Sequence, residues 1–416
     1  MIAIHQKIKW TLTPEQIFMG SAFVVNGGNY LYNLGLGRIL GPKAFADAAI
    51  LITLMLVLSF VAMTFQLAVA KFTTEFDSTR QALFVKRAYK QATTFGVLLG
   101  AVIVVFATQL QSLFQTESSV MFTIFGIAVP LYFIMSVNRG NLQGRQSFIK
   151  LSVTYQLEMI CRLAFTFVFL LFFEISSSVA VSSAIAISFL AGIFPFKKPY
   201  TKQAIHTMLT AKENKTILQF FILTACYELT QIICNNSDIL LVKHYFPSYD
   251  AGLYASLALI GRVVYFVTWM FVMLLLPTVV AMRKKGENSV PVLLKYVGYI
   301  TALATAIVAF TFLFPTIAVR LLFGEQYMSI APLLGWYALA TSFFALSNIF
   351  AYYYLSLDHY KPIVIAAVFG LLQIVLIIFF HDNLYEVVFA QVVAMSGLLI
   401  AQVTYFGSKQ YQAIHA

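Results

Sequence analysis

Apolar stretches recur along almost the whole chain, separated by short polar connections. They lie near residues 15–37, 46–70, 92–114, 118–138, 150–173, 177–196, 216–242, 251–282, 292–315, 331–356, 361–380 and 384–406. A hydrocarbon core of about 30 Å takes roughly 20 apolar residues as a helix, and a helix satisfies its own backbone hydrogen bonds in lipid. The pattern therefore predicts an all-α polytopic membrane protein with about twelve transmembrane helices.

Composition agrees with the pattern. Of the 416 residues 60% are hydrophobic and only 10% charged, too little polar surface to coat a soluble globule. The charges add an orientation. Of 27 Lys and Arg, 21 lie on the side that carries the N-terminus and the even-numbered connections, 4 lie on the other side and 2 fall inside spans. By the positive-inside rule both termini are expected in the cytoplasm. The net charge of +11 collects at span ends, in Lys71–Lys90, Lys197–Lys215 and Arg283–Lys285, so membrane lipid headgroups rather than nucleic acid are the expected partners.

The longest inner connection carries Pro195 and Pro199 among several cations and divides six spans from six. We therefore expect an N-terminal six-helix lobe over 1–196, a cytoplasmic linker over 197–215 and a C-terminal six-helix lobe over 216–416. The halves echo one another: a short outer loop follows the first span of each, at Leu40–Ala46 and Tyr249–Tyr254, and a long basic inner loop follows the second. Such symmetry suggests two bundles around a central cavity, as in many secondary transporters. Outer loops are too short for a folded catalytic domain, the longest running around Phe314–Met328.

Several function classes lose support. No Gly-rich loop followed by Lys and Ser or Thr is present, and no acidic strand end could hold magnesium, so energy is expected from an ion gradient, the membrane potential or the substrate gradient. Six histidines lack zinc-like spacing, and no metal or other cofactor is expected. Cys161, Cys226 and Cys234 fall inside spans and read as small core residues. Met1–Thr13 shows no small-x-small cleavage site, so the first helix is expected to stay in the protein.

Charges inside spans carry the strongest site signal, because each costs about 2.5–3.5 kcal/mol at a helix centre unless it meets a partner or a polar cavity. Five stand out: Glu158 and Arg162 in span five, Glu228 and Asp238 in span seven, and Arg262 in span eight. Glu158 and Arg162, four residues apart, share a helix face and form either a structural pair or a headgroup site in which Glu158 holds Arg162 against phosphate. Arg262 either snorkels or contacts phosphate. Span seven runs from Glu228 through Gln231 and Asn235 to Asp238, a polar series that must line something; its carboxylates could couple protons or sodium, or pair with a cation such as Arg262. Asn26-Gly27-Gly28-Asn29 makes span one polar and helix-weakening at its middle, either a hinge or a tight packing site. Pro130, Pro277 and Pro315 could kink their spans. Arg38 and Lys43 sit in the first outer loop with Asp47 in reach of either, as an interface ion pair or as an outer gate or release site for an anionic headgroup.

Four strings connect the chain to a family. Gly37-Arg38-Ile39-Leu40-Gly41-Pro42-Lys43-Ala44-Phe45-Ala46 is similar to Arg-x-Leu-Gly-Pro-x-x-(Phe/Tyr)-Gly, with Ala46 in place of the last glycine. Asn141-Leu142-Gln143-Gly144-Arg145, Ala251-Gly252-Leu253-Tyr254-Ala255 and Leu322-Phe323-Gly324-Glu325-Gln326-Tyr327 follow in order. The chain resembles the oligosaccharide and polysaccharide flippases of the multidrug/oligosaccharidyl-lipid/polysaccharide exporter superfamily. That resemblance implies a bacterial inner-membrane, alternating-access transporter, not an enzyme, that moves a polyprenyl-diphosphate-linked oligosaccharide outward, with a polysaccharide polymerase as a candidate partner. Arg162, Arg262 and Arg38 would meet the diphosphate; Asn, Gln and Tyr side chains would meet the sugar. A multidrug and toxic compound extrusion antiporter of the same superfamily is the alternative, although span one offers Asn26, Asn29 and Asn33 where that branch commonly has a carboxylate. A membrane-embedded sugar transferase or polymerase would want an acidic motif or a large outer loop, and neither is visible. A scaffold protein would leave the buried charges dispensable.

Overall fold

The computed structural model describes residues 13–196, 209–265, scattered positions between 266 and 285, 286–357 and 359–415. Pro277 and most of the expected 197–215 linker lie outside the described residues. The described chain is helical, with no strand: α1 Pro14–Glu75, α2 Ser78–Val105, α3 Ala107–Phe114, α4 Val120–Gly144, α5 Phe148–Phe172, α6 Ser177–Gly192, α7 Ala211–Tyr245, α8 Ser248–Gly261, α9 Val290–Leu313, α10 Pro315–Leu322, a 3-10 turn Glu325–Ile330, α11 Ala331–Ser356, α12 Lys361–Phe379 and α13 Leu384–His415.

Nine of these helices are long and apolar enough to cross a membrane. The expected spans one and two run together in α1, span six is the shorter apolar α6, and span eight runs from α8 into incompletely described residues. The expected inner loop Lys71–Lys90 is itself helical apart from a turn at Phe76–Asp77, because Asp77 caps α2 by accepting from the amides of Thr79 and Arg80 at 3.1 and 2.9 Å. Thr13 and Gln16 form a capping box ahead of Pro14, and Thr210 with Glu213 does the same for α7.

The first outer loop shrinks to a kink. Only Gly41 leaves helical geometry within α1, at φ 70°, and Pro42 follows with no amide hydrogen to donate. Asn26-Gly27-Gly28-Asn29, expected either as a hinge or as a tight packing site, is helical throughout, and Gly28 packs closely against Met159.

The chain forms two compact units, neither continuous in sequence. The first holds the described residues of Met1–Tyr32, Val61–Phe106 and Val120–Ile222; the second holds Asn33–Phe60, Ala107–Ser119 and Leu223–Ala416. In the first, α4 packs against α2 and α6, and α5 packs against α6. The start of α7 joins it through Arg80–Glu213 at 2.8 Å, Arg87 to Asn214 at 2.7 Å and the Phe72–Phe220 ring contact. In the second, α11 packs against α8, α9 and α13, around a core that includes Leu293, Ile300, Ile349 and Phe350.

Within the second unit the kinked part of α1 is gripped by residues far away in sequence. A Cβ at Gly252 would collide with the Pro42 carbonyl, so α8 approaches the kink as closely as backbone allows. The Tyr327 hydroxyl donates to the Gly37 carbonyl at 2.6 Å, and the Phe323 ring lies 5.8 Å from that of Phe45. Asp47 pairs with Lys243 at 2.8 Å, not with Arg38 or Lys43 as its sequence neighbourhood suggested. Both side chains are almost fully buried; Asp47 also accepts from the Glu117 amide at 2.9 Å, and Lys243 donates to Ser248 at 2.9 Å. Lys243 sits near the end of α7, a proximity that only the fold creates.

Losing one member of a buried pair strands the other, at a cost of about 3–5 kcal/mol, whereas replacing both with apolar groups is nearly neutral. Lys243→Met alone should therefore lower the thermal unfolding midpoint in detergent strongly, and Asp47→Leu combined with Lys243→Met should recover most of it.

Candidate functional site

Besides the Asp47–Lys243 pair, the buried charges among the described residues gather in two clusters, one in each unit. In the first unit Glu158 of α5 is bracketed by two arginines. Arg162, one turn along the same helix, approaches it at 3.5 Å, and Arg139 of α4 binds it at 2.8 Å. Arg139 was not visible as a candidate, because the apolar run preceding it ends at Val137 and the expected span stopped at residue 138. The helix continues to Gly144, so Arg139 is buried.

Local contacts hold each group in place. Arg139 donates to the hydroxyl and carbonyl of Thr154 at 3.1 and 3.0 Å, and its guanidinium carbon lies 3.9 Å from the Tyr155 ring centroid. Arg162 donates to the Asn29 side-chain oxygen and stands 5.6 Å from the centre of the Tyr32 ring, whose hydroxyl shares a 3.0 Å hydrogen bond with Thr166. Gln66 extends the polar group, donating to Tyr155 at 3.0 Å and to Gln143 at 3.1 Å. Among the described residues two guanidiniums share this one carboxylate.

Span one borders the cluster through Asn29. Asn26 and Gly27 are exposed, Asn29 is half-buried one turn further on, and Gly28 turns toward Met159 of α5. The amide face of α1 thus leads from accessible surface to the Arg162 fork. The sequence joins Glu158 with Arg162 and singles out Asn26–Asn29; the fold brings Asn29 to Arg162 and adds Arg139.

The second cluster is balanced. Arg262 donates to both oxygens of Asp238 at 2.8 and 3.0 Å, to the Tyr337 hydroxyl at 3.1 Å and to Asn236 at 3.4 Å. Tyr337 and Tyr254 donate to Asp238 at 2.7 and 3.1 Å. Four donor contacts occupy the carboxylate, and the three guanidinium nitrogens of Arg262 are divided among Asp238, Tyr337 and Asn236, so both groups are engaged in this arrangement. The neighbouring cavity, lined by Asn235, Arg262, Tyr337, Thr341, Gln373 and Gln391 among others, measures about 20 Å³, room for roughly one water.

Glu228 differs from Asp238. It is half-buried, and no ion pair joins it to another described residue; its electrostatic neighbours are the hydroxyls of Tyr227, Tyr265 and Tyr352. With Gln231 and Asn235 it forms one polar stripe at three- and four-residue spacing on α7, and Asn235 donates to the Gln231 carbonyl at 2.9 Å and shares a hydrogen bond with Tyr265. Arg38 belongs to neither cluster: it is exposed in the second unit, where its fork donates to the Arg320 carbonyl at 3.5 Å. Among the described residues no group of His, Cys, Asp and Glu is arranged to hold a metal.

Residues 36–332 match the family described as "Polysaccharide biosynthesis protein". No curated protein matches the sequence. Among solved structures, an inward-facing multidrug resistance MATE family transporter of the MOP superfamily is similar with a TM-score of 0.76 at 12% identity, over 92% of this chain and 95% of that one. The lipid II flippase MurJ in an inward closed conformation is similar with a TM-score of 0.74 at 16% identity, over 94% of this chain and 87% of that one. A MOP superfamily transporter from Pyrococcus furiosus is similar at 0.55 and 14% identity, over 97% and 95%. At these identities the likeness is one of fold, and the fold is the one that the four sequence strings implied.

The arithmetic of the first cluster sets an order of stabilities. Glu158→Leu leaves two buried guanidiniums facing each other, whereas Arg139→Met or Arg162→Met leaves a complete pair. Unfolding midpoints in detergent should fall furthest for Glu158→Leu, by the equivalent of about 3–5 kcal/mol, and distinctly less for either arginine variant.

Proposed function

Because the chain belongs to the polysaccharide biosynthesis protein family, we propose that it is a bacterial inner-membrane flippase that carries a polyprenyl-diphosphate-linked oligosaccharide from the cytoplasmic to the outer leaflet. The observation that carries this reading is the Arg139–Glu158–Arg162 cluster, net positive, buried in the first unit and reached along the amide face of α1. The family, and a fold shared with transporters and a flippase, support membrane transport and give no support to an enzyme.

The chemistry follows from the donors. A diphosphate offers several oxygens to guanidinium forks, which bind such groups in a bidentate way. Glu158 keeps both forks oriented in the absence of substrate and prevents the two positive groups from repelling one another apart. An incoming diphosphate would take over the Arg162 donor now given to Asn29, leaving Asn26 and Asn29 free to meet hydroxyls of the first sugar. The polyprenyl chain needs no polar path and can stay in lipid while the headgroup crosses. The excess of cations on one face supports cytoplasmic termini, and therefore pickup of substrate from that side. A polysaccharide polymerase beside the outer face would consume the product.

Glu228 is our candidate for ion coupling, by proton or sodium, because Asp238 is committed to Arg262 whereas Glu228 has no cation partner among the described residues. The same feature, with the MATE-like fold, keeps a cation-coupled drug antiporter as the second reading.

Reconstitution into liposomes with a fluorescent polyprenyl-diphosphate oligosaccharide separates these readings. Wild type should move the headgroup between leaflets. Arg139→Gln and Arg162→Gln should each reduce headgroup affinity by about 10- to 100-fold, the worth of one or two charge-assisted hydrogen bonds, while retaining the fold. Transport of a cationic dye against an ion gradient, with no headgroup transfer, would sink the flippase reading. Glu228→Gln should bind substrate as wild type does but lose the acceleration of transfer by an imposed proton or sodium gradient; full acceleration in that variant would remove Glu228 from the coupling role.

A further inference from the structure

Only four cations lie on the sparsely charged face: Arg38, Lys43, Lys243 and Arg320. Lys243 is buried against Asp47. Arg38 and Arg320, 282 residues apart in sequence, are brought together, since the Arg38 fork donates to the Arg320 backbone carbonyl at 3.5 Å. Beside them opens a groove of about 510 Å³, lined by Arg38, Thr316, Ile317, Arg320, Leu321 and Met328. None of these is acidic. Glu325 approaches Arg320 at 3.5 Å, but both side chains are well exposed, 80% and 65%, and such a pair holds little charge in place.

The apolar half of the lining faces the wrong way for an aqueous site. Ala318 and Val319 turn α10 into the protein, while Ile317 and Leu321, one turn apart, are 56% and 69% exposed, next to Leu313 at 71%. An amphipathic helix that shows its apolar face outward, at the end of a membrane-spanning helix, lies at the boundary between headgroups and hydrocarbon. The two arginines therefore stand at headgroup level with an acyl-chain bed beside them.

We propose that this groove binds the phosphate headgroup of an anionic lipid in the leaflet of the sparsely charged face, with the lipid chain lying along Ile317 and Leu321. Two guanidiniums and the Thr316 hydroxyl suit phosphate oxygens, and the exposed Ile and Leu suit a hydrocarbon tail; free inorganic phosphate could use only the first set. The site depends on the membrane assignment alone and is separate from the proposed headgroup cluster at Arg139 and Arg162, so loss of oligosaccharide transfer would leave it standing.

The test is photo-crosslinking of the full chain in nanodiscs, with photoactivatable phosphatidylglycerol or phosphatidylcholine and adducts mapped by peptide mass spectrometry. Wild type should label residues 313–328 with the anionic probe in preference to the zwitterionic one, and inorganic phosphate at millimolar concentration should not compete. Arg38→Gln with Arg320→Gln should lower that labelling by about tenfold or more, as expected for charge-assisted contacts, while adducts at the basic face stay unchanged as an internal control. Lys43→Gln, a neighbouring exposed cation outside the groove, should have no effect. Should the double variant unfold, Arg320→Gln alone supplies the reading, because its side chain is well exposed. Equal labelling by both probes, undiminished labelling in the arginine variants, or displacement by free phosphate would each overturn the lipid site.

Discussion

A charge inside hydrocarbon has no water to fall back on, and the placement of the buried ion pairs among the described residues follows from that. Glu158 is held by Arg139 and Arg162, Asp238 by Arg262 and two tyrosines, and Asp47 by Lys243 and a backbone amide. Among the described residues the three solutions differ in charge. Asp47 with Lys243 and Asp238 with Arg262 are neutral and fully engaged, which suits a structural fastening. The Glu158 group has, among the described residues, one carboxylate for two guanidiniums, and Arg162 turns one donor to Asn29 on α1.

The strings that connect the chain with its family prove to be packing elements more than chemistry. Gly41 and Pro42 make the kink in α1, Gly252 lets α8 sit against the Pro42 carbonyl, and Phe323 and Tyr327 close over Gly37 and Phe45. These residues come from three distant parts of the chain and meet within one compact unit. Asp47 and Lys243 add a buried ion pair to the same unit. Residues 33–60 and 107–119 thereby pack with the C-terminal half, although sequence order places them in the N-terminal half.

Much of the site was legible. Glu158 and Arg162 announce themselves by spacing alone, since four residues in a helix put two side chains on one face. The polar middle of span one and the polar stripe of span seven stand out against apolar surroundings. Arg139 escaped for a definite reason: a hydropathy boundary is drawn where apolar residues stop, and a helix does not stop there if its backbone bonds continue. The surroundings of Arg262 and Arg38 were likewise set only by the fold. Both were candidates for phosphate by residue type, but one is spent on Asp238 and the other meets Arg320 in a separate groove.

The sequence by itself determined the solvent, the all-helical class and the orientation signal, because hydrophobic length, backbone hydrogen bonding in lipid and cation asymmetry are properties read along one dimension. It also determined that a few charges had to be paired or had to face a polar space. Which partner each charge takes was decided only by the tertiary structure. Arg139 reaches Glu158 from 19 residues away, Lys243 reaches Asp47 from the other half of the chain, and the Arg38 side chain finds the Arg320 backbone carbonyl across 282 residues. Pairing energies act over a few ångströms, and distance in sequence says nothing about which helices will bring two side chains that close.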